Sequence, residues 1–430
     1  MREKIGQIIV GLDIGTTKIC AIIGQLNEFG KLEILGMGKA VSDGVKDGTV
    51  SNINRTVTAI SKAIQEAEDD AKIDVGVVNV GIAGKHIISS EQEGGITLSS
   101  QDHEISAHDV ERLTGDMYRL VVPPGSKIIH VMSQYYKVDD EENIIDPVGQ
   151  AGAKLEGKFH VITAQANAIR NINKCVERVG LEIDNMILEP LASSLSVLTE
   201  EEKEAGVALV DIGGGTTDIA VFYDNIIRHT AVLPFGGNII TSDIKQGCAV
   251  LQNQAEQLKV KFGKSLALEA SENEVISIPG LRQRPSKEIS IKNLAYIIEA
   301  RMDEIIDLIM LEIERSGYKN RLAGGIVITG GGSQLKNIRQ LVEYKTGLDA
   351  RIGYPNEHLG KSKHDEVKEP MYATAIGLML AGFRDLNEKE ESGSKRKGKK
   401  DKNNGGDFFK TILKKTKDLL IDDIPDKDKY

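Results

Sequence analysis

The chain has 430 residues, 40% of them apolar and 27% charged, with a formal charge of −10 and no tryptophan. That length exceeds what one hydrophobic core serves, which predicts two or more domains. Aromatic residues at 4% and the net negative charge argue against a stacking platform for nucleic acid.

In chain order, residues 5–24 read as strand, glycine bend, strand, and a third extended run follows at 31–41. Residues 53–72 carry Ile53, Val57, Ile60, Ala63, Ile64 and Ala67 at helical spacing. A strand from Val75 enters a glycine turn. Residues 85–162 then alternate short extended runs with one helix, whose start is marked by Ser106 and Asp109. Helices are predicted at 165–180 and 190–199. The opening pattern returns at 206–223, followed by long helices at 248–263 and 293–316. A strand at 326–328 runs into glycines, and a helix of small residues starts near 371. From Asn387 the composition turns to Lys, Glu, Gly, Ser and Asn, which predicts a linker. Cys20, Cys175 and Cys248 lack disulfide or zinc spacing and are expected to be reduced, buried thiols of a cytosolic protein. The apolar run Ile8–Val10 is too short for a signal peptide, and no stretch approaches a membrane span. His86, His130 and His160 have no metal spacing and are expected to be ordinary core or surface residues.

The chemistry sits in a repeat. Asp13-Ile14-Gly15-Thr16-Thr17 and Asp211-Ile212-Gly213-Gly214-Gly215-Thr216-Thr217-Asp218 both place an Asp and a glycine bend with paired hydroxyls between two strands. Glycine lets the backbone approach a ligand closely, and successive N–H groups in such bends form an anion nest. Threonine hydroxyls add donors to phosphate oxygens. A carboxylate facing phosphate needs a cation between them, so Asp13 and Asp211 are candidate Mg²⁺ ligands through water. Gly330-Gly331-Gly332-Ser333, after a strand, suits close approach of a nucleoside. Both G-x-G-x-x-G and the P-loop pattern are missing.

These residues resemble the actin/Hsp70/sugar-kinase superfamily over about 5–385. The resemblance implies an α/β fold of two lobes around a cleft for ATP and Mg²⁺. It implies that Glu189, heading Glu189-Pro190-Leu191, orients water on the cation, and that Met371–Gly377 is a second connecting helix. Gly236, Gly237 and Asn238 would approach phosphate or ribose. Glu256 and Lys259 resemble an adenosine-holding pair, though on spacing alone such a pair is more often a surface salt link. Glu189 and Gln165 are the candidates to position an attacking water; no catalytic base stands out.

The middle segment narrows the family. The patterns at His130–Asp139, Asp146–Glu156 and Arg351–Pro355 closely resemble the FtsA family of bacterial cell-division proteins. That resemblance implies a first-lobe core at 1–84 with 163–195 and 366–385, and an FtsA-type inserted subdomain at 85–162. The second lobe would take 196–247 with 325–365 as core and 248–324 as its small subdomain. A flexible basic linker (386–406) and an amphipathic helix (407–424) would follow. Residues 392–417 hold ten Lys/Arg and two Asp, a local charge of +8 that leaves −18 on the rest. On a helix, Phe408, Phe409, Ile412, Leu413, Leu419 and Leu420 fall within an arc of roughly 140°. Lys414 and Lys415 lie outside that arc. This fits an interfacial membrane helix, or one docking on the protein's own body. The family implies self-polymerisation, recruitment of the C-terminal tail of the tubulin-like protein FtsZ, contact with other division proteins, and a peripheral place on the inner membrane face at the septum. A soluble sugar-type kinase of the same superfamily is the alternative.

Overall fold

Two five-stranded sheets with one connectivity form the two lobes. The computed structural model describes residues 7–394, apart from 101, 280–284 and 361. The first sheet runs, in spatial order, Leu32–Val41, Lys18–Leu26, Ile8–Ile14, Val77–Ile82, Glu182–Leu188. The second runs Ile226–Leu233, Thr217–Tyr223, Val207–Ile212, Ile326–Thr329, Ala350–Ile352. In each, the first three strands form an antiparallel meander and the last two join in parallel. Both Asp-headed hairpins therefore occupy the same position, at the carboxyl end of the central strand. The central strands are buried along almost their whole length (IIVGLDI and VALVDI), as strands covered on both faces must be.

The predicted helices fall at Ile53–Ala71, Ala166–Val179, Glu189–Val197, Gln252–Phe262 and Ile291–Arg315. Asn52 caps the first of these by accepting from the N–H of Arg55. The strand Glu182–Leu188 and the helix Gly237–Gly247 were not foreseen. The helix Ala373–Ser394 crosses Glu189–Val197 so tightly that a Cβ on Gly377 would strike the backbone of Ala192. That helix also runs past residue 386, where composition predicts a linker. Glu388, Lys389, Glu390 and Glu391 have good intrinsic helix propensity, which agrees with the helix running on. The basic stretch from 395 and the amphipathic segment 407–424 lie outside the described residues. Cys20, Cys175 and Cys248 are buried free thiols.

Residues 87–165 build a separate antiparallel sheet, in the order Ile87–Thr97, Lys154–Gln165, Ser126–Val138, Glu141–Ile144. The helix Ala107–Met117 covers it, opened by the expected pairing: Ser106 and Asp109 form a reciprocal capping box. Its own core holds Leu113, Met117, Val131, Phe159 and Val161, with Tyr136 edge-on to Phe159 at 6.1 Å. In the second lobe, the hairpin Val275–Ile278/Lys287–Ser290 and the helices Gln252–Phe262 and Ile291–Arg315 form the smaller subdomain.

Candidate nucleotide site

The two Asp-headed hairpins meet across the cleft between the lobes. In the first, Asp13 lies opposite Cys20; in the second, Asp211 lies opposite Asp218. The Gly213 N–H donates to the carbonyl of Thr216 (2.9 Å), which closes the second bend. A Cβ on Gly215 would stand 2.8 Å from Thr16 Oγ1, and one on Gly214 would run into the Thr17 side chain. Only glycine lets the bends approach this closely. Gly214→Val should therefore wedge them apart at an overpacking cost of about 1–3 kcal/mol, or roughly tenfold to a hundredfold in nucleotide affinity. Titration with a fluorescent ATP analogue would measure it, with melting temperature as the folding control.

Four carboxylates converge there against one lysine. Asp13, Asp211 and Asp218 are buried, and Glu189 is set in the cleft wall at the first position of its helix. Burial pushes Asp13 up to about 6, opposed by Lys18 and reinforced by Asp211. Burial and Asp211 together push Asp218 up to about 8. Asp211 is raised by burial, although its carboxylate accepts from Ser193 Oγ (2.7 Å) and Thr374 Oγ1 (3.3 Å). Glu189 lies well above the ordinary glutamate range, from burial and then from Asp13, Asp218 and Asp211. Lys18 is lowered by burial; its ammonium donates to the carbonyl of Met371 (2.6 Å) and sits 3.7 Å from the centre of the Tyr372 ring.

This donor set fits a divalent cation. One carboxylate oxygen, Asp218 Oδ1, is buried without a hydrogen-bond partner, and Lys18 alone does not balance its acidic neighbours. The donors are all hard oxygens, which suit Mg²⁺. Among the described residues no three His, Cys, Asp or Glu groups are placed to hold an ion on their own. A cation here would need water and phosphate to complete its shell, as the sequence predicts.

Of the residues singled out from sequence, Asp13, Gly15, Thr16, Thr17, Glu189, Asp211, Gly213, Gly214, Thr216, Gly330 and Gly331 line the cleft. Others bond to partners within the protein. Thr217 donates its hydroxyl to the carbonyl of Phe235 (2.8 Å), away from the cleft. The N–H groups of Gly237 and Asn238 donate to the carbonyls of Gly213 and Gly214 (2.9 and 2.8 Å), so the Gly236 turn buttresses the second hairpin. Ser333 closes the Gly330 turn through a 2.7 Å bond to that glycine's carbonyl, and Gly332 packs on Ile212. Glu256 and Lys259 pair at 2.8 Å and clamp the start of the helix Gly237–Gly247. There Lys259 donates to the carbonyl of Gly237 (2.9 Å), and Thr241 donates to Glu256 (2.5 Å).

Gln165 corrects an expectation. It is the exposed N-cap of Ala166–Val179, makes no cap bond, and is not among the residues that line the cleft. Lys18, Asp218, Ser193 and Thr374 were left out of the predicted site. Lys18 stands directly after the paired threonines, which was the available signal.

Two lobes of equal topology, joined by connecting helices and facing each other through Asp-Gly-Thr hairpins, define the actin-like class. Solved structures agree in fold. The "PilM-PilN type IV pilus biogenesis complex" superposes with a TM-score of 0.62 at 16% identity, covering 87% of this chain and 98% of that one. MreB 5 of Spiroplasma citri bound to AMPPNP gives 0.54 at 13%, covering 90% and 99%. The family model "Cell division protein FtsA" matches residues 208–377, and "SHS2 domain inserted in FTSA" matches 84–163. The Cell division protein FtsA of Pseudomonas aeruginosa is 42% identical over 378 residues, covering 88% of this chain and 90% of that protein. That of Escherichia coli K12 is 36% identical over 383 residues, covering 87% and 90%. The chain belongs to the FtsA family of cell division proteins.

Proposed function

We propose that the chain binds ATP with Mg²⁺ between the lobes, polymerises on the inner face of the cytoplasmic membrane at the septum, and tethers FtsZ filaments there through their C-terminal tails. The observation that carries the nucleotide reading is the under-neutralised cluster of Asp13, Asp211, Asp218 and Glu189 between two anion-nest hairpins. Mg²⁺ would supply the countercharge between these carboxylates and the phosphates. Asp13 and Asp211 would hold its water shell. The Gly48 N–H donates to Thr16 Oγ1 (3.1 Å), which occupies that oxygen as an acceptor and leaves the Thr16 O–H to donate to phosphate. Glu189 would orient a water; its raised affinity for protons makes it a poor base until positive charge enters the cleft.

The membrane role rests on the sequence of the tail. Placed on a helix, Phe408, Phe409, Ile412, Leu413, Leu419 and Leu420 would share one apolar face beside Lys414 and Lys415. One short helix is a weak anchor, and a polymer multiplies it. Among the described residues no helix is long and apolar enough to cross a membrane. Co-sedimentation with anionic vesicles tests the reading, comparing the full chain with one ending at Gly406, each with and without Mg-ATP. Pelleting of the full chain alone, increased by Mg-ATP, is expected. If neither chain pellets under any condition, a soluble kinase or regulatory ATPase replaces the membrane filament.

A further inference from the structure

The inserted subdomain is joined by its chain to the first lobe, yet it is also hydrogen-bonded to the second. Its root is fixed on the first lobe, where the N–H of Leu188 donates to His130 Nε2 (3.0 Å) and His86 Nδ1 meets Thr49 Oγ1 (3.2 Å). Its far attachment is the edge strand Ile226–Leu233, the outermost strand of the second-lobe sheet. Three strands of the insert each supply a side chain to it. Ser89 Oγ donates to the carbonyl of Thr230 (2.8 Å), Gln134 Nε2 donates to the carbonyl of Ile227 (2.5 Å), and His160 Nε2 meets Thr230 Oγ1 (3.0 Å).

The edge strand is shaped for this contact. Its pairing with Thr217–Tyr223 shifts register at Arg228, a bulge that re-aims a side chain. Arg228 Nη1 donates to Gln134 Oε1 (3.4 Å), so Gln134 is held at both ends of its amide. Gln134, His160 and Thr230 are buried, at 3%, 2% and 5% exposure. The adjacent His229 pairs with Glu312 (3.1 Å) on the helix Ile291–Arg315, tying the same strand to the smaller subdomain.

We propose that the inserted subdomain is a clasp between the lobes, closed by Ser89, Gln134 and His160 on the edge strand, tightened when the cleft holds nucleotide and released as the lobes part. The lobes cannot rotate about their connecting helices without shearing these bonds, because the insert is rooted on one lobe and bonded to the other. Buried polar bonds of this kind are costly to leave unmade, so the contact has two states rather than a continuum. Linkage then requires that nucleotide tightens the clasp by the factor by which the clasp tightens nucleotide. Burial lowers His160 to about 4, with His229 adding to the shift, so the ring is neutral near pH 7 and serves as a hydrogen-bonding partner for the Thr230 hydroxyl.

The clasp rests on the nucleotide reading, and hydrogen exchange of the full chain tests the two separately. The parent, Ser89→Ala and the double variant Gln134→Leu/Thr230→Val are followed with and without Mg-ATP. In parallel, ATP binding is measured with a fluorescent analogue. Mg-ATP should slow exchange of segments 87–97 and 226–233 in the parent. Ser89→Ala should speed their exchange about fivefold to tenfold in the ligand-free protein, as for loss of one partly buried hydrogen bond. The double variant should erase the response to Mg-ATP and weaken ATP roughly tenfold, while residues 8–26 exchange as in the parent. If Ser89→Ala exchanges as the parent does, or if ATP binds the parent without slowing these segments, the clasp is overturned. If ATP does not bind at all, the nucleotide reading falls and the ligand-free exchange of Ser89→Ala alone judges the contact. Should the double variant fail to fold, Ser89→Ala decides in the same way.

Discussion

Asp211→Asn is expected to raise the melting temperature of the ligand-free protein by a few degrees while lowering its affinity for Mg-ATP about a hundredfold. The two effects oppose each other because the carboxylate is buried at the ligand's expense. Asp211 is 8% exposed and shares the cleft with Asp13 and Asp218, so ionising it without a cation is unfavourable. Asparagine keeps the shape and can still accept from Ser193 and Thr374 through its amide oxygen. Its NH₂ group replaces like-charge repulsion with donors facing neighbouring carboxylates. The lost negative charge removes a charge-assisted interaction with the cation's water shell worth about 2–3 kcal/mol. Differential scanning fluorimetry and a binding titration on one preparation read both effects. A fall in both stability and affinity would mean that Asp211 is simply a structural residue.

The second large effect is on pH dependence. Asp13 and Asp218 are raised in the folded chain, to about 6 and about 8, so the folded state binds protons that the unfolded state releases near pH 4. The stability these groups contribute is fully present below about pH 4. It is lost as pH rises, the loss ending near pH 6 for Asp13 and near pH 8 for Asp218. Ligand-free protein should therefore melt at lower temperature at pH 8 than at pH 6. Mg-ATP should flatten or reverse that slope by giving the carboxylates a cation, and calorimetry should detect proton release on binding near pH 7. A ligand-free melting temperature that does not fall between pH 6 and pH 8 would contradict the cluster described here.

Much of this site is legible in the sequence because its chemistry is local. Asp13 and Asp211 each head a glycine bend, and the bend, its strands and its hydroxyls all lie within about ten consecutive residues. Glu189 is marked by the proline after it. What escaped depends on contacts remote in the chain. Lys18 is drawn inward by the carbonyl of Met371 and the ring of Tyr372, more than 350 residues away. Thr217 reads like Thr216, but strand alternation turns its hydroxyl to Phe235. Gln165 lies at a strand-to-helix turn, a place where catalytic groups occur, but it is exposed there and is not among the residues that line the cleft. The bonds of Ser89, Gln134 and His160 to the edge strand join residues 70 to 141 positions apart, with no local pattern to announce them.

The helix Ala373–Ser394 has its second residue, Thr374, hydrogen-bonded to Asp211 and its last residue at the point where the chain continues toward the basic tail. At 1.5 Å per residue it is a rod about 33 Å long. Its first half is buried against the first-lobe sheet and the helix Glu189–Val197, through Ala375, Ile376, Leu378, Met379 and Phe383. The central carboxylate and the point where the tail departs therefore share one rigid element, so the tail's point of departure travels with the first lobe.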